Sequence, residues 1–224
     1  TTTFSGAISE TQQTKRVIKD GPGTLVFGGD NSYAGTTTVQ DGTLLVNGTT
    51  SGQGDYLVQS GATLGGTGTI NLDPGRTVTV EDGGTLAPGL GIGTLTVNAG
   101  ATIRGTLRVE LDSLVPAVDL LRIDGDLDLS AVTDKLVFVG EASVAGLYPF
   151  LTYTGSLSDP DDVFDAVDFT GLTGGTTPEV LYEPGQIVLK LTGQQPPAEM
   201  IPEPASAALI LAGVGVVARR QRRR

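Results

Sequence analysis

Asp124, Asp126 and Asp128 alternate with Gly125 and Leu127. If that stretch is one extended strand, the alternation puts three carboxylates on one face. Two chemistries are open to such a row. A pair of carboxylates can serve as acid and base in glycoside hydrolysis, and several can supply hard oxygen ligands to calcium. A row along one strand points outward rather than converging, so a solvated acidic face is the favoured reading. A second group, Asp159, Asp161, Asp162, Asp165 and Asp168, surrounds Pro160. Its spacing is not that of a helix–loop–helix calcium loop, and no Gly stands at a central turn, so a surface loop is expected. Gly65-Gly66-Thr67-Gly68-Thr69-Ile70-Asn71-Leu72 approaches a calcium-binding nonapeptide turn, but Ile70 stands where the ligand carboxylate belongs. Gly89, Gly91 and Gly93 could offer backbone N–H groups to a phosphate, yet no helical pattern comes after them to supply a helix N-terminus. They are read as a corner. Asn47-Gly48-Thr49 fits a glycosylation acceptor pattern, a weak signal in a chain with 30 Thr.

The chain has no His and no Cys. The usual nucleophilic triads and zinc sites are therefore excluded, and no residue is assigned to catalysis, a cofactor or a metal. Stability must come from packing rather than disulfides. Charge divides sharply: residues 1–200 carry −15 and residues 201–224 carry +4, giving −11 overall. An acidic body lacks the basic footprint that nucleic acid requires. Gly is abundant, at 33 of 224 residues, and 38% of the chain is hydrophobic, too much for a typical disordered segment. Gly, Thr and Val with few aromatics suit short strands joined by tight turns.

The elements that must position these groups repeat. Gly-Thr-Leu occurs at 23–25, 42–44, 84–86, 93–95 and 105–107, with Ala-Thr-Leu at 62–64 and Ala-Thr-Ile at 101–103. Leu25, Leu44, Leu64 and Leu86 lie 19, 20 and 22 residues apart. A period near twenty, rich in strand formers and Gly turns, is that of a β-solenoid coil. Val78 and Val80 alternate with Thr77 and Thr79, and Leu107, Val109 and Leu111 with Arg108 and Glu110. Apolar residues therefore face inward, with Thr and charges outward. The spacing predicts parallel pairing between residues about 20 apart.

The stretch from Ile18-Lys19-Asp20-Gly21-Pro22-Gly23-Thr24-Leu25-Val26-Phe27 through Asn31-Ser32-Tyr33 to Gln40-Asp41-Gly42-Thr43-Leu44-Leu45-Val46-Asn47-Gly48 resembles the autotransporter-associated β-strand repeat. Gly84-Thr85-Leu86-Ala87-Pro88-Gly89-Leu90-Gly91-Ile92-Gly93-Thr94-Leu95 resembles a second phrase common in such passenger proteins. The resemblance spans about residues 18–110 and implies a right-handed parallel β-helix exposed at or beyond the cell surface. Autotransporters proper end in a membrane β-barrel; this sequence ends differently.

Residues 113–193 have less Thr, and Asp, Phe and Tyr come in. Strands are expected at 121–129, 135–139, 148–154 and 186–191, forming a β-rich continuation of the solenoid and a cap over its last open edge. Residues 1–112 form the repeat region, and Gln194-Gln195-Pro196-Pro197-Ala198-Glu199 lies in a polar linker, 194–200.

The final 24 residues read as an address label. Pro202-Glu203-Pro204 precedes a charge-free run, 205–218, and then Arg219, Arg220, Arg222, Arg223 and Arg224. As a helix that run would rise about 21 Å, short of a hydrocarbon core of roughly 30 Å, which snorkelling Arg and local thinning accommodate. The Arg cluster favours the cytoplasmic side, leaving the body outside. The arrangement resembles the PEP-CTERM sorting signal, which implies inner-membrane anchoring by a short helix until an exosortase-type enzyme cuts near Pro202-Glu203-Pro204. The start at Thr1, with no leader after it, suggests a fragment or a processed form.

The expectation is thus an all-β, exported, non-catalytic β-helix protein, structural or adhesive, with extracellular polysaccharide as a candidate partner. The alternatives are a polysaccharide lyase or hydrolase on the same scaffold and a passive spacer.

Overall fold

In this computed structural model, residues 1–10, 15–51, 54–115, 117–158 and 163–193 are described. Among them the secondary structure is β, and no helix is long and apolar enough to cross a membrane. The expected helix at 205–218 lies outside the described residues, as do the linker, the Pro202-Glu203-Pro204 motif and the Arg cluster.

The chain winds through three sheets in turn. The first stacks Thr2–Phe4, Thr24–Phe27, Thr43–Val46, Thr63–Gly66, Thr85–Pro88, Thr106–Asp112, Lys135–Glu141 and Ala166–Thr173, all parallel. The second stacks Val17–Lys19, Thr37–Val39, Tyr56–Val58, Thr77–Val80, Gly100–Ile103, Leu127–Asp128 and Leu157–Ser158. The third stacks Thr49–Thr50, Thr69–Asn71, Thr94–Asn98, Leu120–Ile123 and Gly146–Tyr153. The first turns of the chain supply strands to the first two sheets only, and from Thr43–Val46 to Leu157–Ser158 each coil contributes one strand to each sheet, which is the β-helix the period required.

The register is the sequence period made physical. Leu25 pairs with Leu44, Leu44 with Leu64, Leu64 with Leu86 and Leu86 with Leu107. Leu44, Leu64, Leu86 and Leu107 are completely buried. Val39, Val58, Val80 and Ile103 form an equivalent ladder in the second sheet, and Ile70, Val97 and Ile123 another in the third. Each such side chain contributes about 1.5–3 kcal/mol by leaving water.

The period then lengthens. Leu107 pairs with Leu136, and Leu136 with Val167, so these coils are longer than the first ones. Their larger section is filled by aromatic rings: Phe138 meets Phe150 edge-on at 5.0 Å and stacks with Phe169 at 5.5 Å.

Two expectations are corrected. Residues 121–129 are not one strand: Leu120–Ile123 ends, the chain turns at Asp124 and Gly125, and Leu127–Asp128 begins in a different sheet. Pairing is also not parallel throughout. Gln186–Gly193 joins Gly146–Tyr153 antiparallel, and Thr176–Glu183 folds back on it as a hairpin. Pro184 and Gly185, the latter at φ 80°, form its two-residue turn, with Gly at the position that favours positive φ.

Candidate functional site

The three carboxylates of 124–128 do not share one strand: Asp128 ends the short strand Leu127–Asp128, and Asp124 and Asp126 sit at a corner. There the turns containing Asp73, Ala99 and Gly125 stack, leaving an open groove of about 410 Å³ lined also by Arg76, Asn98 and Thr102. The packing is close: a Cβ on Gly125 would stand 2.5 Å from the Ala99 carbonyl carbon. The carboxylates share the groove, yet each has its own partner. Asp124 pairs with Arg122 at 3.5 Å, and Asp126 accepts the Ser156 N–H at 2.7 Å. Asp128 accepts the Ser130 N–H at 2.9 Å and the Thr102 hydroxyl at 3.4 Å. Burial raises the Asp128 pKa, but the Ser130 and Thr102 hydrogen bonds, with Arg104 nearby, outweigh it and hold the carboxyl below its ordinary value. An ionised, hydrogen-bonded carboxylate is a poor general acid. Among the described residues no group of three His, Asp or Glu is placed to hold a metal.

Of the second acidic group, Asp159, Asp161 and Asp162 lie outside the described residues. Asp168 bonds the Thr170 hydroxyl and N–H and pairs with Lys135 at 3.3 Å, which lowers its pKa to about 2. Asp165 donates its backbone N–H to Asp134.

The glycine phrases serve packing. A Cβ on Gly68 would stand 2.1 Å from the Gly48 carbonyl oxygen, and Ile70 is fully buried, so the nonapeptide-like phrase is a coil turn. Asn47 accepts the Thr67 N–H at 3.1 Å, holding the next coil. Gly89 and Gly66 exchange backbone hydrogen bonds, and the Gly93 N–H is already donated to Asp119 at 2.9 Å. A carboxylate of the chain therefore occupies that N–H of the phosphate-loop-like phrase.

Asp119 was not legible as a special residue. It is fully buried, accepts the Gly93 N–H on one oxygen and the Glu110 N–H at 2.8 Å on the other, and so ties the 89–93 corner to Thr106–Asp112. Burial pushes its pKa up to about 6 against those two hydrogen bonds. A raised carboxyl pKa resembles that of a catalytic acid, but no substrate can reach it. Lys19 is the other surprise. It stands at the head of the Val39–Val58–Val80 ladder, almost wholly buried, with Nζ donating to the carbonyls of Gly21 at 2.6 Å and Asp41 at 2.8 Å. Its inward register against Val39 was the available signal.

The most repetitive surface is the outer face of the first sheet. Thr24, Thr43, Thr63, Thr85 and Thr106 stand in one column, strand above strand, at the roughly 4.8 Å strand spacing. Beside them Val26, Leu45 and Ala87 floor a groove of about 460 Å³, overhung by Leu90, which is 63% exposed. Hydroxyls in register over an apolar floor can make many weak contacts and no covalent chemistry.

Residues 17–46 match the family described as passenger-associated-transport-repeat. The chain is 38% identical over 167 residues, 70% of its length, to an adhesin, the BmaC autotransporter of Brucella suis biovar 1 (strain 1330), of which it spans 5%. It is 37% identical over 81 residues, 36% of its length, to an extracellular serine protease of Serratia marcescens, of which it spans 7%. The repeat match is thus confined to residues 17–46, and the chain covers a small fraction of either relative's length.

Proposed function

We propose that this chain is part of an exported, non-catalytic β-helix protein with a structural or adhesive role at the cell envelope or beyond it. The observation that carries this is the regular register of the coils from Thr24 to Thr106, which builds a hydroxyl-lined face rather than a reactive cleft. Similarity to an adhesin over most of the chain supports it. Weak contacts repeated along such a face sum to useful avidity, and extracellular polysaccharide is the proposed partner class. In this reading residues 1–112 form the repeat region, 113–193 its continuation and cap, 194–200 a linker and 201–224 a sorting tail. The tail holds the protein in the inner membrane until an exosortase-type enzyme cuts near Pro202, Glu203 and Pro204; Arg219, Arg220, Arg222, Arg223 and Arg224 act as the cytoplasmic stop.

Two experiments test it. Binding of the purified chain to a panel of extracellular polysaccharides should occur without turnover; turnover abolished by one Asp→Ala change would make the protein an enzyme. In a host with the matching exosortase, mass spectrometry of surface-exposed protein should find the Arg cluster removed. An intact terminus at Arg224 refutes the sorting reading. The serine protease similarity covers 36% of the chain and 7% of that protein and supplies no specific rival reading.

A further inference from the structure

Two loops expose apolar side chains side by side. Leu114 and Val115, 66% and 64% exposed, come directly after Ser113; Val144 and Leu147, 44% and 63% exposed, lie in and beside the next coil's loop. The Ser113 hydroxyl, almost wholly buried, accepts the N–H groups of both Ser143 and Val144 at 2.8 and 3.0 Å, so the two loops are fixed together. Three of these side chains stand on the two tied loops and Leu147 stands at the start of strand Gly146–Tyr153, so four exposed large apolar residues fall at one place in the fold.

The described chain ends at this patch. Gly193 closes the last strand, and a Cβ there would lie 3.7 Å from that of Ala145, between Val144 and Leu147. Beyond Gly193 the sequence holds a Pro-rich spacer, an apolar run at 205–218 and five Arg. An extended spacer of that length reaches up to about 34 Å, so the patch lies well inside its range. Carboxylates flank the patch. Asp112 and Glu141 are register partners on adjacent strands, and neither takes part in the ion pairs among the described residues.

We propose that the apolar run 205–218 of this same chain, when no bilayer takes it up, covers the patch of Leu114, Val115, Val144 and Leu147, with its Arg cluster facing Asp112 and Glu141. Burial of apolar surface supplies the attraction, and the opposite charges of tail and body set the orientation. The contact would keep an apolar segment out of water in a soluble chain and release it to a membrane. It does not depend on cleavage or on the identity of the processing enzyme.

The absence of Cys makes the test clean. Val115→Cys with Leu211→Cys in the full chain, oxidised mildly without detergent, should give an intramolecular disulfide in the monomer. Val132→Cys with Leu211→Cys is the control, since Val132 is 88% exposed near the other end of strand Lys135–Glu141. Equal yields, no bond, or a bond only between two chains overturns the proposal. As a second measurement, Leu209→Asp with Leu211→Asp alters the tail and leaves the body untouched. Amides of 113–115 and 143–147 should then exchange hydrogen several-fold faster than in the unaltered chain. Unchanged exchange, or protection seen only with added phospholipid vesicles, overturns it.

Discussion

Ionising Asp119 puts a charge where water does not reach. Its pKa of about 6 in the fold exceeds the ordinary 3.8, so the native chain holds the proton more tightly than the unfolded one. Stability from this group is therefore full below about pH 4 and falls as pH rises to about 6, by at most about 3 kcal/mol. Asp119→Ala abolishes that step while orphaning two N–H groups, at about 1–3 kcal/mol. Denaturant midpoints measured from pH 4 to pH 7 should show the deficit of the variant shrinking as pH rises; a constant gap would contradict the assignment. Asp168 has the opposite sign, with a depressed pKa whose benefit is lost as pH falls toward 2, and its exposure keeps that effect small. Leu44→Asp is the severe change at this scale. It sets an unpaired carboxylate between Leu25 and Leu64 with no solvent contact, and should cost about 4 kcal/mol or more. A thermal melt followed by circular dichroism measures it, and a shift of only a few degrees would refute the ladder.

At the scale of strands and turns, neighbouring coils approach so closely that some turn positions have no room for a methyl group. Gly68→Ala must displace the Gly48 carbonyl, whereas Gly23→Ala meets nothing within 4 Å and keeps negative φ. The first should destabilise by about 1–3 kcal/mol and the second stay within roughly 0.5 kcal/mol; urea midpoints of the two variants decide it. The same contrast explains what was legible in the sequence. Leu25, Leu44, Leu64 and Leu86 revealed the coil because side-chain alternation and stacking both act on the spacing of single residues. The corner at Asp124-Gly125 was hidden because period-two alternation runs on through a tight turn when Leu127 is again inward. The antiparallel hairpin had a signal that was missed, Pro184-Gly185 between two alternating runs. The acidic groups could be picked out from sequence but not assigned: whether three carboxylates converge depends on which turns stack, and that is set by contacts between coils. Asp119 left no trace, since burial of one Asp comes from its neighbours in space.

Across the whole molecule, stability is a sum over coils and the interfaces between them. Residues 45–64 carry the chain from one Leu of the first-sheet ladder to the next, and their removal would join Leu44 directly to Gly65. This deletion should leave a folded chain whose Thr43 and Leu44 pair with Thr85 and Leu86, shorter along the stack by about 4.8 Å. Removing residues 55–64 alone puts the later strands out of step and should unfold the neighbouring coils. Circular dichroism reports folding in both cases, and small-angle scattering the length. A collapsed full-coil deletion would mean that the interfaces are not interchangeable.

The interchangeable register also has a hereditary consequence. In most folds a duplicated stretch of gene is an injury, because the added residues find no partner waiting. Here a copied coil would meet, above and below, the same Thr and Leu that its original met. Replication slippage across near-identical phrases would then change how far the protein reaches without asking selection to rebuild the interior, and reach becomes a trait adjustable in steps of one coil.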